Sequence, residues 1–148
     1  MSAQIAEPSN SMPAIVDYPT TAEARGKFKA VLDAAATGKT VTIGRATGPT
    51  AAVTDAEQLR RYFELTIPAH AGVVIEDGNY VVVMEGKPFV TEGATLDEAL
   101  KDMILTLREY SEDWFARLRS SPNHKERWGL VNLVKLSSDE QLEAWLQA

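Results

Sequence analysis

Apolar and polar positions along the chain alternate at several distinct periods, and each period predicts an element. Residues 1–11 carry Ser, Asn and Pro with no apolar period and read as a disordered lead. Ala14-Ile15-Val16-Asp17, bounded by Pro13 and Pro19, predicts a short edge strand. Thr20-x-x-Glu23 is a capping box, and Ala24, Phe28, Val31, Leu32 and Ala35 follow it at the spacing of one helix face, with Gly38 as the stop. Thr40 to Gly44 and Thr50 to Val53 predict two strands joined through Gly48-Pro49. Thr54-x-x-Glu57 is a second capping box, opening a helix with Leu59, Tyr62 and Phe63 that ends before Pro68.

A new pattern starts at Gly72. Gly72 to Glu76 and Tyr80 to Met84 flank Asp77-Gly78, a hairpin turn signal, and Phe89-Val90-Thr91 predicts a third short strand. Thr95-x-x-Glu98 caps a long helix whose Leu96, Leu100, Met103, Leu107, Tyr110, Trp114 and Leu118 form a seam close to a heptad. Barely three heptads long, the seam suits core against the hairpin better than pairing with a second chain. Ser120-Ser121-Pro122-Asn123 breaks the helix, Leu130 to Leu136 predicts a strand, and Ser138-x-x-Gln141 caps a last helix carrying Leu142, Trp145 and Leu146. The fold class is α+β. A short hairpin sheet with helices occupies residues 12–68, and a hairpin with a long helix occupies residues 69–148.

Composition narrows the classes. At 148 residues and 45% apolar, the chain can bury a core without covalent staples. It has no cysteine, which excludes disulfides, thiolate metal sites and a cysteine nucleophile, and suits a cytoplasmic location. No apolar run approaches the roughly 18 residues of a membrane span, so no membrane partner is expected. The net charge of −6 argues against a protein that coats nucleic acid through its overall charge. Residues 21–61 are mildly basic at +3 and residues 62–148 acidic at −7, a division that suggests two tasks.

Enzyme chemistry finds little support. His70 and His124 have no acidic partner at ligand spacing, and phosphate-loop, dinucleotide-binding and zinc-protease motifs are missing. Glu109 and Asp113 share a helix face and could hold a divalent ion, but read better as a solvated acidic surface. No cofactor and no catalytic or metal-binding residue is expected.

The basic segment resembles a known family. Thr21-Ala22-Glu23-Ala24-Arg25-Gly26-Lys27-Phe28, then Leu32, Gly38-Lys39-Thr40-Val41-Thr42-Ile43-Gly44-Arg45 and Pro49-Thr50-Ala51-Ala52-Val53 are similar to the Phd/YefM (prevent-host-death) antitoxin domain. Three departures stand out: Ala46 replaces the second base of the family's Arg-Arg, the hairpin glycine is displaced to Gly48, and Gly44 replaces a β-branched residue. The resemblance implies a dimer, or a higher oligomer, that binds operator DNA in its own promoter. Thr20, Thr21, Arg25, Lys27 and Arg45 would be the contacts. Arg25 and Lys27 are expected in the first turns of a helix, beside unpaired backbone N–H groups and the positive end of its dipole. Val74 to Val82 through Thr91 to Leu100 is similar to the β-β-β-α module of HicB-type antitoxins, without that family's Pro-Gly-rich segment.

Together these likenesses imply a type II antitoxin and autorepressor. The acidic half would bind the cognate toxin, with Glu109, Asp113, Trp114 and Trp128 as candidates, and the toxin paired most often with such a domain is a RelE/YoeB-like mRNA interferase. A stand-alone transcription regulator with a C-terminal ligand- or protein-binding domain is the alternative, and an enzyme using Glu109 and Asp113 with a metal is the third.

Overall fold

The structure, a computed structural model, describes residues 15–148. The disordered lead expected at residues 1–11 lies outside the described residues. The chain divides between Gln58 and Leu59 into two compact units.

The first unit holds a three-stranded sheet. β1 (Ile15–Tyr18) runs parallel to β2 (Thr40–Ile43), and β3 (Ala51–Val53) is antiparallel to β2 on its other side. β1 is thus the edge strand its flanking prolines predict, although a parallel one. The connection between β1 and β2 is helical but broken. α1 (Thr21–Gly26) ends at Lys27, and α2 (Phe28–Ala36) begins at once. Gly26 has the weakest non-proline helix propensity, and Lys27 adopts φ −131°, ψ 35°, which is not helical. This break corrects the single helix expected from Thr20 to Gly38. Its packing consequence is direct. Ala24, Val31 and Ala35 are buried, but Phe28 and Leu32, predicted on the same stripe, are 57% and 49% exposed. The core of this unit is Ala24, Val31 and Val41, flanked by Val16, Tyr18, Ala34, Ile43 and Val53.

α3 (Ala56–Thr66) is capped by Asp55, whose carboxylate accepts from the Gln58 N–H at 3.0 Å. The sequence places the domain break at Pro68; the packing places it before Leu59, because Phe63 enters the second core and Leu59 and Ile67 pack against it. The Trp145 indole donates to the Ile67 carbonyl at 2.7 Å and fixes the end of this segment to the C-terminal helix.

The second unit is a sheet covered by helices. β4 (Ala71–Glu76), β5 (Asn79–Met84) and β6 (Phe89–Gly93) form an antiparallel meander in that order. Asp77 and Gly78 both have positive φ (49° and 83°), the requirement of the two-residue turn whose twist matches its strands. α4 (Leu96–Asp113) lies over β5 and β6, with Leu100, Met103 and Leu107 buried. The heptad-like seam is therefore intramolecular core. A π-helical turn (Trp114–Leu118) ends this helix.

The segment Leu130 to Leu136, predicted as a strand, belongs to α5 (Trp128–Leu136). A short apolar run of this kind has no decisive period. Leu130, Val131, Leu133 and Val134 are all buried, and α5 packs on α4 rather than on a sheet edge. α6 (Asp139–Gln147) starts with the complete capping box predicted at Ser138 and Gln141. Arg108 links these helices. It donates to the Val134 carbonyl at 2.8 Å, to the Ser137 carbonyl at 3.0 Å and to the Asp139 carboxylate at 2.6 Å, so one guanidinium serves the carbonyl end of α5 and the acidic start of α6.

Candidate functional site

Two loci can carry function, one in each unit. In the first unit, backbone bonding brings the start of α1 to the end of β2. Thr20 caps α1 by accepting from the Glu23 N–H at 3.2 Å. The Thr21 hydroxyl donates to the Gly44 carbonyl at 3.2 Å, and the Gly44 N–H donates to the Tyr18 carbonyl at 2.8 Å. Residues 23 positions apart thus meet at one corner. The glycine is obligatory there, because a Cβ on Gly44 would stand 2.2 Å from the Pro19 carbonyl oxygen. This explains why a β-branched residue is absent at that position. Arg45 follows, and its guanidinium lies over the Gly48 turn, where a Cβ would come within 3.5 Å of Cζ.

Arg25 and Lys27 are exposed, but the break between α1 and α2 separates their settings. Arg25 is in the last turn of α1, and Lys27 is the junction residue that precedes α2 without a side-chain cap. The expected place beside the unpaired N–H groups of a helix's first turn is corrected for Arg25, which the break after Gly26 leaves at the end of α1; Lys27, the N-cap of α2, does stand at such a helix start. Lys27 lines a shallow cleft of about 560 Å³ with Asp17, Tyr18, Ala22, Glu23 and Gly26.

The charge pattern changes too. Arg60 and Arg61, counted in the basic stretch, stand on α3 within the second unit; Arg60 is buried, with Glu64 3.6 Å away. The described part of the first unit keeps Arg25, Lys27, Lys29, Lys39 and Arg45 against Asp17, Glu23, Asp33, Asp55 and Glu57. It is balanced rather than basic, so attraction for a polyanion must come from where these side chains stand.

In the second unit the four candidates separate. Trp114 is buried, and its indole donates to the His124 carbonyl at 2.7 Å; the His124 ring is in turn 2.8 Å from the Tyr110 hydroxyl. Burial pushes the Tyr110 hydroxyl above its ordinary pKa, opposed by the Arg127 charge. Trp114 therefore serves the core. Trp128 is 54% exposed and meets Phe63 edge to face at 5.4 Å. Glu109 is exposed, and Asp113 lies 3.5 Å from Arg117 on the same helical end. Among the described residues no group of three or more His, Asp or Glu side chains is placed to hold a metal ion.

Sequence reasoning missed one feature of this unit. Val73, Val74 and Ile75 on β4 are 47%, 51% and 64% exposed, although all three are apolar. The uninterrupted apolar run Val73-Val74-Ile75 was the available signal, since a half-buried strand alternates and this one does not.

The architecture, two small α+β units joined through a helix, is shared with a protein of known structure. The antitoxin part of a proposed toxin/antitoxin system from Syntrophomonas wolfei subsp. wolfei superposes with a TM-score of 0.71 at 18% identity, covering 88% of this chain and 94% of that one. The likeness establishes the fold. The chain belongs to the PHD-like family, described as antitoxin of toxin–antitoxin, RelE/RelB, TA system, whose profile matches residues 17–147. No curated protein matches the sequence. No described helix is long and apolar enough to cross a membrane.

Proposed function

We propose that this antitoxin neutralises a RelE/YoeB-like mRNA interferase by direct binding through its C-terminal unit and represses its own operon as a dimer on operator DNA. The observation that carries the reading is the family match over nearly the whole described chain, residues 17–147. The C-terminal unit, with fifteen acids against ten bases, has the field that steers a basic toxin into contact. Exposed Trp128, Glu109 and Asp113 are the candidates there that remain accessible.

For DNA, the corner offers the Thr20 hydroxyl proton and the Arg45 guanidinium to phosphate, with Thr21 holding the corner through its bond to the Gly44 carbonyl, and exposed Arg25 can read a guanine edge by bidentate pairing. Phe28 and Leu32 supply the apolar face on which a second copy would sit, and a dyad between copies would match a palindromic operator.

The test is co-expression of the full chain with the toxin-like product of the adjacent reading frame, together with mobility shifts on the promoter. Rescue of growth and a shift that weakens in Arg25→Ala are expected. A chain that neither rescues nor binds the toxin overturns the antitoxin reading. A shift unchanged by Arg25→Ala removes that residue from the DNA surface.

A further inference from the structure

We infer that the free edge of β4 is the toxin-docking element, taking an extended, basic segment of the toxin as an added antiparallel or parallel fourth strand. The inference rests on the reading that the C-terminal unit binds the toxin.

The ladder fixes which backbone groups are free. β4 and β5 pair Val73 with Val82 and Val74 with Val81. The Glu85 N–H donates to the His70 carbonyl at 2.9 Å, so residue 70 is turned toward β5. Because direction alternates along an antiparallel strand, residues 72, 74 and 76 bond to β5, while the N–H and C=O groups of Ala71, Val73 and Ile75 point outward. Among the described residues no strand pairs with that side. Natural sheets protect such an edge with lysine, proline or a bulge, and residues 71–75, Ala-Gly-Val-Val-Ile, contain no lysine or proline.

Side chains extend the same surface. Val73 and Ile75 lie on the face that α4 covers over β5 and β6, but at the edge they are open to solvent. Val74, Val83 and Val90 are exposed on the opposite face. An added strand would meet apolar positions on both faces, with its main chain supplying affinity and its alternate side chains specificity.

Charge selects the occupant. Glu76 and Asp77 at one end of β4 and Glu85 beside its other end are exposed, and none has an ion-pair partner among the described residues. A second copy would bring another acidic unit against these carboxylates. A segment alternating apolar residues with Lys or Arg would satisfy them, so the basic partner is favoured over self-pairing.

The test uses the full chain and the purified toxin encoded by the adjacent reading frame. Amide exchange should show Val73 and Ile75 becoming protected on toxin addition, while Val74, already bonded to β5, changes little. Val73→Pro removes an outward N–H without touching the β4–β5 ladder and should weaken toxin binding about tenfold or more. Ile75→Lys, at a solvent-exposed position, should weaken it as well and serves if the proline variant does not fold. Wild-type affinity in Ile75→Lys with unprotected Val73 and Ile75 amides overturns the docking edge but leaves toxin neutralisation standing. A wild-type chain that does not bind the toxin overturns both. Self-association of the chain alone, abolished by Val73→Pro, assigns the edge to a second copy and overturns the inference.

Discussion

The two units solve the same problem with unequal means. The C-terminal unit closes sixteen buried residues from its sheet and helices into one core. The N-terminal unit buries Ala24, Val31 and Val41 against one face of a three-stranded sheet and leaves Phe28 and Leu32 in water. The contrast teaches that exposed apolar residues mean different things in the two halves. On α2 they flank a core of only three clustered buried residues. On β4 they lie at the edge of a sheet whose covered face already closes a core of sixteen buried residues.

The comparison can be broken most forcefully in the larger core. Leu107→Ala removes a side chain with no solvent exposure and should cost about 3–5 kcal/mol. All three tryptophans, Trp114, Trp128 and Trp145, lie in the C-terminal unit, so urea titration followed by tryptophan fluorescence reads that unit alone.

The counterpart is Val31→Ala, at the centre of the smaller core, with an expected loss of about 2 kcal/mol. Amide exchange over residues 21–53 should register this loss while the tryptophan midpoint stays put. A tryptophan midpoint that moves with Val31→Ala would show one cooperative molecule and end the two-unit comparison.

Arg108→Ala tests whether the second core depends on polar bridging. It frees the carbonyls of Val134 and Ser137 and the start of α6, and should cost about 1–3 kcal/mol by tryptophan fluorescence. Because two of its bonds go to carbonyls, most of the loss should persist in high salt, unlike that of an exposed ion pair.

The smallest effect is a gain. Partial burial, then the nearby charge of Arg127, hold the Lys87 ammonium below its ordinary pKa. The folded state therefore binds this proton less tightly than the unfolded one, and the penalty present at neutral pH is relieved as pH rises through the lowered pKa. Lys87→Met should raise the melting temperature slightly at neutral pH, and the difference from wild type should shrink at alkaline pH.

Where a signal depends on a few neighbouring residues, the sequence by itself determined the outcome. The caps at Thr20, Thr95 and Ser138 form because each hydroxyl finds an N–H three residues on. Asp77-Gly78 turns because both residues tolerate positive φ. The residues of the DNA candidate corner were legible through family resemblance, yet their meeting depends on Thr21 and Gly44, 23 positions apart. Only the tertiary structure decided the elements whose local signals conflict or are silent. The run from Leu130 to Leu136 fits a strand or a helix by pattern, and packing on α4 made it a helix. Arg25 fits a helix start by sequence, and a single non-helical residue at Lys27 moved it to a helix end. The exposed edge of β4 was hidden for the same reason: apolarity says that a surface is costly to leave in water, but only the arrangement of neighbouring elements decides whether the chain itself covers it.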